Sequence, residues 1–176
     1  FSPFAGLKVH FIDAGHLLGS ASISIEITEG DVTRTVLFSG DVGNVDRPLI
    51  RNPVPPAAAD YVVIESTYGD RLHGKRPDYV AQLTAVIQET LDRGGNVVIP
   101  SFAVGRTQEL LYLLLTIKAE NLIQNHDGFP VYVDSPLAVE ATNIYSGGMT
   151  EYYDDETLAL LKDGINPIQF PDLKLS

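Results

Sequence analysis

Residues 60–69 read Asp-Tyr-Val-Val-Ile-Glu-Ser-Thr-Tyr-Gly, and this stretch separates two kinds of sequence pattern. Its apolar residues, Tyr61 to Ile64, form a continuous run of the type that is buried on both faces of a parallel sheet. Before the run, apolar and polar residues alternate. After it, strand-like segments alternate with helix-like ones, so we expect the architecture to change at this point of the chain.

The segment before the run predicts three short strands, Leu7 to Ile12, Ser22 to Ile27 and Thr33 to Phe38. In the second strand, isoleucines at every other position alternate with polar residues, as in a strand with one buried face. Glycine-containing loops follow the first and third strands, at residues 14–20 and 39–41.

The segment after the run predicts a βαβαβα unit, in which the run itself is the first strand. The following elements are a helix from Asp78 to Arg93, a strand from Asn96 to Pro100, a helix from Arg106 to Ala119, a strand from Val131 to Val133, and a helix from Pro136 to about Tyr145. Such an alternation favours a right-handed, doubly wound parallel layer. The last thirty residues carry no comparably clear pattern.

Composition restricts the classes of function. A chain of 176 residues accommodates one domain or a small pair. Its net charge of −11 disfavours a surface that holds nucleic acid by phosphate neutralisation alone. With no cysteine, only His, Asp and Glu remain as strong metal ligands. Because we find neither a membrane-spanning run nor a signal peptide, we expect no membrane association and a cytoplasmic location.

Three candidate site residues lie at predicted strand ends or in the tight loops beside them: His16, Asp41 and Glu65. Strand ends hold side chains on a rigid sheet and still expose them to solvent, which suits a metal or catalytic site. Each residue also has a purely structural explanation. His16 could cap a loop, Asp41 could start a turn, and Glu65 could accept a hydrogen bond from the amide of Ser66 or Thr67.

The order and spacing of these motifs resemble the metallo-β-lactamase-fold nucleases of the β-CASP family, which process RNA or DNA. Gly-His16-x-x-Gly-Ser resembles the third metal-ligand motif of that fold, and Phe-Ser-Gly-Asp41 resembles the fourth. Glu65-Ser-Thr-Tyr-Gly is similar to the acidic motif that opens the insertion specific to nucleic-acid enzymes. Residues 99–109 and 133–138 are similar to stretches inside that insertion.

The resemblance implies an α/β fold in two parts. Residues 1–66 would form the second part of a metallo-β-lactamase αββα sandwich, and residues 67–176 most of an inserted, parallel, doubly wound βαβαβα β-CASP domain. The family's upstream His-x-His-x-Asp-His motif is absent, and no two of the histidines have its spacing; these are His10, His16, His73 and His126. The chain therefore resembles an internal piece of a longer enzyme, and we expect the piece itself to be inactive.

The resemblance also implies the chemistry, which is zinc-dependent hydrolysis of phosphodiester bonds in RNA. His16 would bind the first of two Zn²⁺ ions, Asp41 would bridge both, and Glu65 would position a histidine from beyond the C-terminal end. Asp41 and Glu65 are thus the expected catalytic residues. The expected cleft lies between the two parts, and His73 could reach it or stay at its rim.

A phosphate site is predicted from Ser101, Gly105 and Arg106, which lie between a strand and a helix start. Backbone amides and the helix dipole favour an anion at such a junction. Arg106 could instead pair with Glu109 on its own helix.

Two other functions remain open at this stage. A small-molecule hydrolase for thioesters or lactones would share the loops of His16 and Asp41, although it has no reason to carry the βαβαβα insertion. A catalytically inactive scaffold subunit of an RNA-processing complex would keep the fold without the activity. The sequence also leaves open RNA or single-stranded DNA as substrate, internal cutting or 5′ trimming, and the formation of a homodimer.

Overall fold

A computed structural model of the chain describes residues 1–72, 74–126 and 128–176. The chain divides into two compact units, residues 1–74 and residues 75–176. The first is built on a β-sheet, and the second combines helices with a small sheet, so the chain is mixed α/β as the sequence predicts. The family-based boundary after residue 66 stays a prediction, because the two units reflect compactness alone.

The first unit contains a four-stranded sheet in the order β1-β2-β3-β4. Its strands are Leu7–Asp13 (β1), Ala21–Glu29 (β2), Val32–Phe38 (β3) and Tyr61–Val63 (β4). The first three pair antiparallel through short connections, and β4 pairs parallel with β3. This arrangement confirms the three strands predicted before the apolar run.

One face of this sheet is apolar across all four strands. Residues directly opposite one another on paired strands share a face, and two such rows consist of apolar side chains. The rows are Val9, Ile25, Val36 and Tyr61, and Phe11, Ile23, Phe38 and Val63. The other face carries polar pairs, including the ion pair between Lys8 and Glu26 at 2.6 Å.

The apolar run at Tyr61 forms a parallel strand, but the prediction that it is buried on both faces is wrong. Tyr61, Val62 and Val63 are 60%, 53% and 55% exposed. β4 is the last strand in the sheet order, but burial of its two faces requires covering layers above and below the sheet. Within the described part of the first unit, no helix covers either of its faces.

The second unit contains helices Tyr79–Asp92 (α1), Arg106–Ala119 (α2), Pro136–Ser146 (α3) and Asp155–Lys162 (α4). Strands Val131–Val133 (β5) and Leu173–Leu175 (β6) pair in parallel, and a short 3₁₀ helix spans Thr150–Tyr152. The first three helices and β5 lie where the sequence predicts them. β5 pairs in parallel as expected, but not with the predicted strands: its partner is β6, and the run at Tyr61 lies in the four-stranded sheet as β4.

Side-chain caps fix where three of these helices begin. Asp78, Ser135 and Asp154 precede α1, α3 and α4, and each side chain accepts a hydrogen bond from an amide in the first turn. Such a cap stabilises a helix by about 1 kcal/mol. The core of the unit lies between α1 and α2, where Ile87, Leu114 and Ile117 are nearly inaccessible to solvent.

The strand predicted at Asn96 to Pro100 is absent from the structure, so this prediction is wrong. Residues 96–100 adopt neither helix nor strand. Val98 is 85% exposed and Ile99 is 40% exposed. A segment with β-propensity forms a strand only when a neighbouring strand hydrogen-bonds to it. No described strand pairs with residues 96–100.

Among the described helices, none combines the length and the apolar character needed to cross a membrane.

Candidate functional site

His16 lies in the loop between β1 and β2, and neighbouring side chains fix the backbone of this loop. The hydroxyl of Ser20 accepts hydrogen bonds from the amides of His16 and Leu17, at 3.0 and 3.1 Å. The carboxylate of Asp13 accepts a third from the amide of Gly15 at 2.9 Å. Ser20 and Asp13 thus cap the loop. The His16 ring forms no hydrogen bond with any described residue, so its nitrogen atoms are free to bind a ligand.

The loop that carries Asp41 packs directly against the loop of His16. The amide of Gly43 donates to the carbonyl of Ala14 at 2.8 Å. The two backbones are so close that a Cβ on Gly43 would lie 1.7 Å from the carbonyl oxygen of Gly15. In addition, Arg47 donates to the carbonyl of His16 at 2.8 Å. The fold therefore brings the two predicted ligand loops together.

The side chain of Asp41 is exposed, and it forms no hydrogen bond or ion pair with the rest of the described chain. The purely structural explanation, a side chain that starts a turn, requires such a bond. The structure therefore gives no support to that explanation, and the carboxylate is available to a ligand.

Glu65 follows β4, and both oxygens of its carboxylate accept hydrogen bonds. Oε1 accepts from the amide of Val42 at 2.9 Å, and Oε2 accepts from the hydroxyl of Thr67 at 2.7 Å. These bonds lower the pKa of Glu65, with Thr67 the larger cause, Val42 the next and the charge of His16 a minor one. An ionised Glu65 therefore ties the Asp41 loop to the end of β4. Its bond to Thr67 comes from the side-chain hydroxyl, whereas the structural explanation expected a backbone amide.

The donor set fits part of a metal site. His16 and Asp41 offer an imidazole and a carboxylate, which are ligands that zinc accepts. No group of three or more His, Cys, Asp or Glu side chains meets anywhere in residues 1–72, 74–126 or 128–176. A catalytic zinc takes about three protein ligands. The described residues therefore do not form a metal centre by themselves.

The predicted phosphate-binding residues lie in the second unit, at the start of α2. Their polar groups bond mainly to neighbours in the same turn: the hydroxyl of Ser101 to that of Thr107 at 2.8 Å, and the amide of Gly105 to the Gln108 side chain at 2.7 Å. Arg106 pairs with Glu109 at 2.8 Å, the alternative that the sequence left open, but its side chain is 58% exposed.

The amides of this turn are therefore not free to bind an anion, and the Arg106 guanidinium is the predicted group that stays accessible to a phosphate. The assignment of Ser101, Gly105 and Arg106 to substrate binding stays a prediction. So do the metal and catalytic roles of His16, Asp41 and Glu65. His73 lies outside the described residues.

Sequence reasoning missed the residues that hold the site loops. Ser39 bonds to the Glu65 amide at 3.0 Å, and Arg47 bonds to the His16 carbonyl. The sequence could have indicated Ser39 only through its place in the Phe-Ser-Gly-Asp motif. It contains no pattern that indicates a role for Arg47. Gln108, which is fully buried beside Gly105, was likewise not singled out.

Comparisons with known proteins match most of the chain. A family model described as the Beta-Casp domain matches residues 107–176. A ribonuclease of Thermus thermophilus is 37% identical over 163 residues, which is 93% of this chain and 36% of that protein. The endoribonuclease YSH1 of Kluyveromyces lactis is 32% identical over 175 residues, 96% of this chain and 22% of that protein. Cleavage and polyadenylation specificity factor subunit 3 of Dictyostelium discoideum is 34% identical over 170 residues, 96% of this chain and 21% of that protein.

The chain thus spans about a third of the length of the first of these relatives and about a fifth of the other two.

Proposed function

The chain belongs to the β-CASP family of metallo-β-lactamase-fold proteins, and from this premise we propose that the complete protein hydrolyses phosphodiester bonds in RNA with two bound Zn²⁺ ions. The relatives that support the proposal are named as a ribonuclease, an endoribonuclease and a subunit of a cleavage and polyadenylation specificity factor. The observation that carries it is the packing of the His16 loop on the Asp41 loop through Gly43.

In this proposal His16 and Asp41 would supply one imidazole and one carboxylate to the metal site, and segments outside this chain would supply the remaining ligands. Bound zinc would lower the pKa of a water molecule and polarise the scissile phosphate. The protein's part is to hold both side chains in a fixed place. Ser20 and Glu65 accept hydrogen bonds from amides of the two loops, and Arg47 donates one to a carbonyl, which supports that role.

Glu65 has two tasks in the proposal. Its carboxylate fixes the Asp41 turn through the Val42 amide. It also positions a histidine from the segment that follows this chain, which protonates the leaving oxygen. The hydrogen bonds from Thr67 and Val42 lower the pKa of Glu65, so they stabilise the carboxylate form that both tasks use.

The substrate contacts complete the proposal. Arg106, with Ser101 and Gly105 beside it, binds a backbone phosphate of single-stranded RNA, and single-stranded DNA is the second substrate to test. Internal cutting, 5′ trimming and a homodimer all remain compatible with it. A cytoplasmic location is likewise a part of the proposal.

Two other functions make different predictions. A thioester or lactone hydrolase would use the same His16 and Asp41 loops, but the Beta-Casp match over residues 107–176 favours a nucleic-acid substrate. A scaffold subunit would bind RNA without cutting it, and the two unpaired candidate ligands His16 and Asp41 favour an enzyme.

To test the proposal, the complete protein is incubated with labelled RNA that carries a 5′ phosphate or a 5′ hydroxyl. Parallel reactions contain a thioester or a lactone. Each reaction is run with and without a chelator. We expect RNA products that the chelator abolishes, and no turnover of the small substrates. RNA cleavage that resists the chelator, or chelator-sensitive hydrolysis of the thioester alone, contradicts the proposal. RNA binding without cleavage favours the scaffold.

A further inference from the structure

Ser39 lies at the end of β3, two residues before Asp41, and it is one of the few buried polar residues of the first unit. The residue as a whole is only 6% exposed to solvent. A buried polar group costs about 1 to 3 kcal/mol unless it is hydrogen-bonded, so the partners of Ser39 indicate what it does.

All of its polar groups have partners at the ends of three different strands. The Ser39 amide donates to Val63 in β4 at 2.9 Å, and its carbonyl accepts from the hydroxyl of Ser22 in β2 at 2.7 Å. The Ser39 hydroxyl accepts from the amide of Glu65 at 3.0 Å and donates to the carbonyl of Gly40 at 2.7 Å.

This hydroxyl therefore contacts both sides of the candidate site at once. On one side it fixes the backbone of Glu65, whose carboxylate in turn holds the Val42 amide. On the other side it fixes the carbonyl of Gly40, the residue directly before Asp41. Gly40 has a φ of +57°, a conformation that a residue other than glycine adopts only with strain.

We propose that Ser39 is a positioning residue: its hydroxyl sets the place of Glu65 and of the Asp41 turn relative to each other. The inference rests on the proposed function and adds to it a residue to which no role in the reaction has been assigned. Ser39 touches neither substrate nor metal, so its effect reaches the reaction only through Glu65 and Asp41.

The test compares Ser39→Ala with Ser22→Ala. Both variants remove a buried hydroxyl at the same end of the sheet, and among the described residues the Ser22 hydroxyl bonds only to the Ser39 carbonyl. We therefore expect a similar loss of stability from each. Ser39→Thr retains the hydroxyl, and Ser39→Cys retains the volume with a weak acceptor. These two variants keep the test usable if Ser39→Ala does not fold.

The first measurement is amide hydrogen exchange in this chain by NMR. In Ser39→Ala we expect exchange at Glu65 and Val42 to become at least about tenfold faster, while Ile25 in the centre of the sheet is unchanged. Ser22→Ala should leave the Glu65 and Val42 amides within about twofold of the wild type. Unchanged exchange at Glu65 and Val42 in Ser39→Ala overturns the proposal, whatever the activity.

The second measurement is RNA cleavage by the complete protein. We expect Ser39→Ala to lower kcat about 10- to 100-fold with KM within twofold, as when a group that supports catalytic residues is lost. We expect Ser39→Thr to recover most of the rate, Ser39→Cys to fall between, and Ser22→Ala to stay near the wild type. Equal kcat in Ser39→Ala and Ser22→Ala overturns the proposal. If the wild type cuts no RNA, the proposed function fails, and the exchange measurement still decides the role of Ser39.

Discussion

Gly43 is the residue at which the two candidate ligand loops approach most closely. A methyl group at this position would lie 1.7 Å from the carbonyl oxygen of Gly15 and 2.7 Å from the amide nitrogen of His16. Both contacts are with backbone, which cannot rotate away. We therefore expect Gly43→Ala to lower the free energy of unfolding by about 1 to 3 kcal/mol or more.

The control for this prediction is Gly74→Ala, where a Cβ meets no atom within 4 Å. Chemical denaturation of the two variants should show a loss for Gly43→Ala and a change within about 0.5 kcal/mol for Gly74→Ala. Equal stabilities would mean that the loops do not touch as the structure describes.

Thr67 is the main cause of the lowered pKa of Glu65. A lowered pKa means that the folded state favours the carboxylate, so its contribution to stability is present above the ordinary glutamate pKa and is lost as the pH falls through the lowered one. We expect Thr67→Val to raise the pKa of Glu65 toward its ordinary value. The stability lost on acidification should then be smaller, and the loss should be complete at a higher pH.

An NMR titration of the Glu65 side-chain carboxyl carbon in this chain measures that pKa. Thr28→Val is the control, because its hydroxyl bonds to Thr33 and not to Glu65. A midpoint that is the same in wild type and Thr67→Val would show that the hydroxyl does not stabilise the carboxylate.

At the residue scale, the sequence predicted the candidate ligands but not the residues that hold them. His16, Asp41 and Glu65 occur in short motifs that can be read along the chain. Their supports join distant positions: the Ser39–Glu65 bond spans 26 residues and the Arg47–His16 bond spans 31. Only the folded sheet shows which of many polar residues meet.

Among the secondary-structure elements, α2 and α3 are joined by a buried polar side chain. Gln108 is fully buried on α2, and its amide group bonds to the Gly105 amide at 2.7 Å, the Ala103 carbonyl at 3.1 Å and the Thr142 hydroxyl at 3.0 Å. Gln108→Leu would leave a buried N–H and a buried carbonyl without these bonds. We expect a loss of about 1 to 3 kcal/mol in the free energy of unfolding.

Gln82→Leu is the matched substitution, because Gln82 is exposed on α1 and has no side-chain hydrogen bond in the described structure. Thermal unfolding should separate the two variants by several degrees. A Gln108→Leu variant as stable as Gln82→Leu would argue against the network.

The helices were predictable because local signals define them. Asp78 and Ser135 cap α1 and α3, and the leucine-rich sequence of α2 has a high helix propensity. Residues 96–100 were wrongly predicted to form a strand. Their apolar side chains indicate a propensity for β-structure, but they do not show whether a neighbouring strand is there to pair with. Three elements near the C-terminus were missed: the 3₁₀ helix Thr150–Tyr152, α4 and β6. The cap Asp154 could have indicated α4, but nothing local could reveal that β6 pairs with β5, 42 residues earlier.

At the scale of the whole molecule, the first unit exposes an apolar sheet face. Phe11 and Tyr61 on this face are 62% and 60% exposed. Monomeric proteins rarely leave such a surface uncovered, and the αββα sandwich expected for the family would cover it with a second sheet. We therefore expect this chain, on its own, to bind an apolar fluorescent dye.

The control uses adjacent positions on one strand. Phe11→Ser removes a side chain from the apolar face, whereas His10→Ser changes the opposite face. Dye fluorescence should fall for Phe11→Ser and stay unchanged for His10→Ser. Equal fluorescence in both variants, or no binding by the wild type, would show that the face is not accessible in solution.

The measurement that tests the central claim most directly is the rate of RNA cleavage by the complete protein in which Asp41 is changed to Asn. The control is Asp31→Asn, an exposed aspartate in the turn between β2 and β3. Since losing a group that only supports a metal ligand costs about 10- to 100-fold, losing a ligand should cost at least about 100-fold. We expect that loss for Asp41→Asn and an unchanged rate for Asp31→Asn. An Asp41→Asn protein that cuts RNA at the wild-type rate would contradict the assignment of this site.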